Sequence, residues 1–276
     1  MSNPQAVLSL NNGSQLTDYV ILNPFTAFPK SAVTVELWLK TEATNDITPV
    51  SYEALGAGNA FVMFRWAKNQ QVIIHNARAY SDIASFNDGQ WHHCAVTWNS
   101  ETGQVKIYKD GHQEFATSDD KSIHKGKTIS PDGSLVLGQE QDAVGGGFDP
   151  NQAFKGYLSD FRIWNRVRTA QEIEANMNFR LAGNEPELVA YWPLNEGEGN
   201  IANDKTGHGY HGTLVGGGAT WEQSEIPIRQ REISTQQANQ QSLGTGLQDY
   251  AYWYRWKRSL PQSAKQKSFR RGRIWS

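Results

Sequence analysis

The sequence predicts an all-β protein: a two-sheet antiparallel sandwich with one short helix and an extended, basic, aromatic C-terminal tail. Three observations point there. Apolar and polar residues alternate in short runs, turn chemistry separates the runs, and 25 Gly and 10 Trp stand against 3 Met. That composition suits tight turns and pleated surfaces better than helical bundles. At 276 residues the chain lies near the upper end of one hydrophobic core, or makes two small domains.

Taken in order, Val33, Val35, Leu37 and Leu39 share one face of a strand, with Thr34, Glu36 and Trp38 on the other. Residues 61–66, 71–75, 92–98, 104–108, 134–137, 156–164 and 187–192 continue the β pattern. Asn87-Asp88-Gly89, Lys109-Asp110-Gly111, Pro131-Asp132-Gly133 and Gly145-Gly146-Gly147 supply the turns between them. A single helix is expected over 170–176, N-capped by Thr169 with Glu172 three residues on as its capping-box partner. It is short and should close one side of the sandwich.

Past Trp221 the pattern changes. Residues 230–248 are rich in Gln, Ser, Thr and Asn, as in a linker. Five aromatics then fall within residues 250–256 and are interleaved with clustered Arg and Lys. This divides the chain into a sandwich at 1–225, a polar linker at 226–248 and an interaction tail at 249–276. The formal net charge of −2 hides the same division: residues 229–276 carry +8 and residues 1–228 carry −10.

Several classes are excluded. No apolar run approaches the roughly 20 residues needed to cross a bilayer. The first residues lack the basic and apolar regions of a secretory signal. The expected location is the cytoplasm, or export without a classical leader inside a larger particle such as a phage-tail-like assembly. One cysteine, Cys94, excludes an intrachain disulfide and a multi-thiolate zinc site.

Two segments carry a family resemblance. Asp88-Gly89-Gln90-Trp91-His92-His93-Cys94-Ala95-Val96-Thr97-Trp98, followed by residues 105–111, resembles the central strand pair of laminin-G-like and pentraxin domains. Residues 137–152, Leu-Gly-Gln-Glu-Gln-Asp-Ala-Val-Gly-Gly-Gly-Phe-Asp-Pro-Asn-Gln, resemble the pentraxin calcium loop in spacing as well as residue type. Gly156–Asn165, Ala190–Gly199 and His211–Leu214 add support, so the resemblance covers about residues 5–222 and none of the tail. It implies a concanavalin-A-like jelly roll.

Calcium takes about 6–8 oxygen ligands from carboxylates, amides and carbonyls. Glu140, Gln141 and Asp142 offer two carboxylates and an amide, and Asp149 and Gln152 can return to them around the glycine turn. Crowded carboxylates repel one another unless a cation neutralises them. The resemblance implies that Glu140 and Asp142 bridge two ions with help from the Gln141 carbonyl. It implies too that Asp149 and Gln152 complete the second ion and that Asn59 adds a ligand from a distant loop. It also places Phe64 on the apolar wall of a ligand pocket, a position that core packing would explain equally well. The chain departs from the family at three places. Gly58 replaces an aspartate, Asp149 replaces a longer glutamate, and Glu36 and Ala95 stand where the family disulfide would be. Cys94 is one residue off and is expected to be inert. His92, His93, His208 and His211 are read as structural in preference to metal ligands.

No strand carries the pair of flanking carboxylates that a glycosidase needs, and no nucleophile motif appears, so no catalysis is expected. The leading expectation is a calcium-dependent module for carbohydrate or phosphate-bearing ligands. The alternative is a structural part of a larger assembly, with the lectin-like fold as scaffold or displayed head. The tail residues Tyr250, Tyr252, Trp253, Tyr254, Arg255, Trp256, Arg270, Arg271, Arg273 and Trp275 are expected to dock a partner. A protein or neighbouring subunit ranks first, then an anionic membrane, then nucleic acid. Homo-oligomerisation is compatible with either reading.

Overall fold

The computed structural model describes residues 4–12 and 16–231. The tail contacts expected from Tyr250 to Trp275 lie outside these residues. The described residues up to Gln230 belong to one compact unit.

Sixteen strands and one α-helix build it. In chain order they begin with β1 (Gln5–Leu10), β2 (Tyr19–Phe25), β3 (Ala32–Lys40), β4 (Val50–Ala54) and β5 (Phe61–Phe64). Next come β6 (Gln71–Ile74), β7 (Ala77–Tyr80), β8 (His92–Asn99), β9 (Gln104–Lys109), β10 (His112–Ala116), β11 (Gly133–Leu137) and β12 (Gly156–Trp164). Helix α1 (Ala170–Asn176) precedes β13 (Leu188–Trp192), β14 (Ile201–Ala202), β15 (Gly212–Val215) and β16 (Thr220–Ser224). One sheet has the order β10-β9-β8-β3-β12-β1-β16, with β13 also paired to β12; the other has the order β14-β15-β2-β11-β4-β5-β6-β7. All the strand pairings are antiparallel. This is the expected two-sheet sandwich.

The alternation read from β3 holds. Val33, Val35, Leu37 and Leu39 enter the main core with Val96, Trp98, Phe161 and Trp192, packed against Tyr52, Phe61 and Leu135 of the facing sheet. Strand ends differ from expectation where the backbone turns left-handed. Arg65 (φ 56°) and His75 (φ 44°) end β5 and β6 one or two residues early, and Glu187 (φ 67°) delays β13.

The outer face of the first sheet is also buried, because α1 and the C-terminal segment lie on it. Thr169 caps α1 with both capping-box hydrogen bonds in place, an arrangement worth about 1 kcal/mol. Ile173 packs on Ala95 and Tyr108. Ile226 and Ile228 are buried with Val7 and Trp38, and the backbone N–H of Arg229 donates to Asn178 O. The boundary expected at 225 is therefore too early. Residues 226–229, read as linker, belong to the domain because two isoleucines seal the space beside Trp38.

Cys94 is buried and free, and burial pushes its thiol far up, as its expected inertness requires. His92 half-buries between two acids, Nδ1 lying 2.7 Å from Asp110 Oδ2 and Nε2 3.1 Å from Asp88. The Asp110 contact foremost, and Asp88 with it, raises the His92 pKa above 6.5 against the opposing effect of burial. A raised histidine contributes stability that is fully present below its ordinary pKa and is lost as pH rises through the folded value. Denaturation across pH 6 to 9 should show that loss, and His92→Gln should flatten it. An unchanged slope in the variant would remove His92 as the cause.

Candidate metal and ligand site

The outward face of the second sheet presents the residues that alternate with its core positions. These are Ser51 and Glu53 on β4, Val62 and Phe64 on β5, Gln71 and Ile73 on β6, Arg78 on β7 and Ser134 on β11. The segment between β11 and β12 folds over this face. It is anchored by one side chain: Gln141 Nε2 donates to Ser51 O, Ser51 Oγ and Ser134 O at 3.1–3.2 Å, and Gln141 Oε1 accepts from Gly145 N–H at 2.8 Å. The Gln141 amide, read from sequence as a ligand group, is thus spent on holding the loop. Only its backbone carbonyl remains for a cation.

The chain then reverses through glycines. At Gly147 (φ 73°) a Cβ would sit 2.9 Å from the Asp142 Cβ, so the return past the acid requires glycine. Asp149 begins a 3₁₀ turn over Pro150–Gln152, and its Oδ1 accepts from the backbone N–H and side-chain amide of Asn151. Thr48 N–H donates to Gln152 O at 2.9 Å, which ties this end of the loop to the strand-β4 approach.

These constraints gather acids. Glu140 is 5% exposed, and its pKa is pushed up to about 7 by burial first, then by Asp142, Glu53 and Asp149, with Arg78 opposing. Glu53 is raised as well, by burial, although the backbone N–H groups of Gly58 and Ala60 donate to its two oxygens. Sequence reasoning missed Glu53 because β4 was not read as a strand; the spacing Val50-x-Tyr52-x-Ala54 was its available signal. Asn59 (φ 49°) lies in the same turn as those N–H groups. Its Nδ2 donates to Asn76 Oδ1, while its own Oδ1 is buried with no hydrogen-bond partner. Gln152 Oε1 is equally unpartnered.

The charges of Asp142, Asp149 and Glu53 thus all bear on Glu140, and the Asn59 backbone lies beside Glu53. Among the described residues, no three His, Cys, Asp or Glu side chains close on one point tightly enough to hold a metal by themselves. The remaining oxygens would come from amides and carbonyls. Phe64 is 9% exposed and packs with Val62 and Ile73 on the outward face, not in the core. Two guanidinium groups, Arg65 and Arg78, each lie 5.6 Å from its ring centre. Asp204 accepts from Tyr191, Thr206 and Tyr210, and His211 Nδ1 accepts from Asp204 N–H, which makes the 204–211 segment a hydrogen-bonded closing loop.

A family model described as the Pentaxin family matches residues 9–189, and this span includes the carboxylate loop, Asn59 and Phe64. The chain belongs to the pentaxin family. Human neuronal pentraxin-1 is 40% identical over 159 residues, covering 57% of this chain and 36% of that protein. A rat protein with sushi, von Willebrand factor type A, EGF and pentraxin domains is 36% identical over 170 residues, 59% of this chain and 4% of that protein. This pentaxin thus spans about a third or less of the length of these curated relatives. Two solved structures share the fold. A heptameric SAP-like pentraxin from Limulus polyphemus has a TM-score of 0.52 at 23% identity, covering 62% of this chain and 80% of that one. A Bacteroides ovatus protein given a carbohydrate-binding designation has a TM-score of 0.61 at 19% identity, covering 82% of this chain and 62% of that one. The fold shared with these structures is a lectin-like, two-sheet β-sandwich.

Proposed function

We propose that this pentaxin is a calcium-dependent binding module for carbohydrate or phosphate-bearing ligands. One observation carries the reading: Glu140 is buried among Asp142, Glu53 and Asp149 without enough positive charge to balance them, while Asn59 Oδ1 and Gln152 Oε1 lack any partner. A hard cation answers both conditions. Glu140, Asp142, Asp149, Asn59, Gln152 and the Gln141 carbonyl would hold it. Glu53 replaces in part the carboxylate that Gly58 does not supply. Calcium held by these residues would supply a charged point of attachment for vicinal hydroxyls or an anionic oxygen.

Calorimetric titration of the full-length protein with calcium should show binding at or below millimolar ion. Glu140→Ala and Asp142→Ala should each abolish it. Absence of binding to the wild type at millimolar calcium overturns the proposal.

A second reading, attachment to a larger assembly, is favoured by the +8 charge and clustered aromatics of residues 229–276 set against the −10 of the remainder. A neighbouring subunit or another acidic protein surface is the partner of that chemistry. Deletion of residues 232–276 should abolish co-purification of the assembly and leave calcium binding intact; an assembly that survives the deletion refutes the tail's role. At the family disulfide position stand Glu36, ion-paired with Arg168, and the apolar Ala95, so folding of the domain needs no disulfide there. Cytoplasmic action, or export within a particle, follows as part of this reading.

A further inference from the structure

The geometry points to an extended site: the carboxylate face continues along the edge of the second sheet into a cationic groove that holds the acidic groups of an anionic oligosaccharide, with Arg78 as the bridging contact. This inference rests on the calcium reading for its anchoring end only.

Arg78 stands at the junction. Its guanidinium lies over Phe64, its Nη1 donates to Gln71 Oε1 at 2.9 Å, and its charge reaches Glu140. Arg65 differs in being engaged, 3.0 Å from Asp46. Among the described residues no carboxylate forms an ion pair with Arg78. On its other side Arg78 lines a groove of about 450 Å³, walled by Tyr80, by Phe115 near the end of β10 and by Ser118, Lys121 and Ser122 from the segment after it. Tyr80 is 65% exposed, which is unusual for so large an aromatic at the edge of a pocket. Asp119 and Asp120 share the turn of Lys121 but do not line the groove.

The chemistry selects a ligand class. A planar guanidinium with free donors matches a carboxylate or sulfate in bidentate fashion, and Lys121 adds a second cation farther along. An exposed tyrosine ring offers an apolar platform to the C–H face of a sugar, and the serine hydroxyls can bond its oxygens. A quaternary ammonium headgroup finds the opposite of what it needs, because two guanidinium groups already lie over Phe64. Nucleic acid fits less well than a short acidic glycan. The groove has one exposed aromatic and two cations, not a basic stripe, and residues 1–228 carry a net −10 that repels a long polyanion.

The test compares four probes on the full-length protein with calcium present: tetragalacturonate, the matching neutral galactose tetramer, phosphocholine and a short single-stranded DNA. Tetragalacturonate should bind at least about tenfold more tightly than the neutral tetramer. Arg78→Ala should remove that preference while calcium still binds, and Arg78→Lys should restore part of it. Tyr80→Ala should weaken both sugars. Equal binding of the two tetramers, or tetragalacturonate binding indifferent to Arg78→Ala, overturns the proposal. So does DNA binding of equal affinity through the same residues. If the wild type binds no calcium, the calcium reading fails by itself; tetragalacturonate binding in chelator that still requires Arg78 then leaves the groove standing.

Discussion

Replacing Glu36 with Ala should destabilise the domain by about 3–5 kcal/mol, the range for removing one partner of a buried ion pair. Glu36 is fully buried on the outer face of β3, 2.6 Å from Arg168 Nη1, 3.6 Å from Arg162 Nη1 and 3.4 Å from His93 Nε2. Burial alone pushes its pKa up, but His93, Arg168 and Arg162 outweigh that and hold it at about 2. Arg162 also pairs with Asp160, which receives Arg180 at 3.1 Å and the hydroxyl of Tyr191 at 2.7 Å. Deleting the Glu36 carboxylate leaves the buried Arg168 guanidinium with no acid partner among the described residues and Arg162 with Asp160 alone, an uncompensated buried charge that accounts for the size of the effect. Denaturant titration should show the loss, and a melting temperature lower by about 10 °C should accompany it. Glu36→Gln keeps the volume and separates charge from packing. The depressed pKa has a further consequence. Its stabilisation is present above the ordinary carboxylate range and is lost as pH falls toward 2, so the wild type should show an acid limb that Glu36→Gln reduces. A loss below about 1 kcal/mol in the Ala variant would mean that the arginines find other partners.

Calcium should raise the stability of the wild type by about 2.7 kcal/mol at a hundredfold excess over its dissociation constant. For a domain of this size that is an increase of about 5–10 °C in melting temperature, reversed by chelator. The effect follows from the charge crowd at Glu140: without a cation, burial and three neighbouring acids favour its protonated form. Glu140→Ala and Asp142→Ala should melt at the same temperature with and without calcium. A chelator-insensitive wild type contradicts the reading.

Much of the fold was legible because a strand with one face in the core must alternate, and β3 and β8 do so clearly. The capping box of α1 was legible because Thr169 and Glu172 are local. The loop acids were legible because their spacing is a contiguous motif. Strand β4 was not, since Val50-Ser51-Tyr52-Glu53-Ala54 is short and buried on both sides, and Glu53 went unread with it. Glu36 looked like a polar residue on an outward face. Its environment depends on Arg162 and Arg168, more than 120 residues away in the chain.

The sequence by itself determined the period of each strand, the turns between them and the presence of an acidic, glycine-containing loop, since all of these are encoded by near neighbours. Only the tertiary structure decided that Gln141 turns inward to Ser51, that Glu53 joins Glu140, and that Arg78 caps Phe64. Those outcomes depend on which strands lie side by side, and side-chain charge is balanced across that spacing, not along the chain.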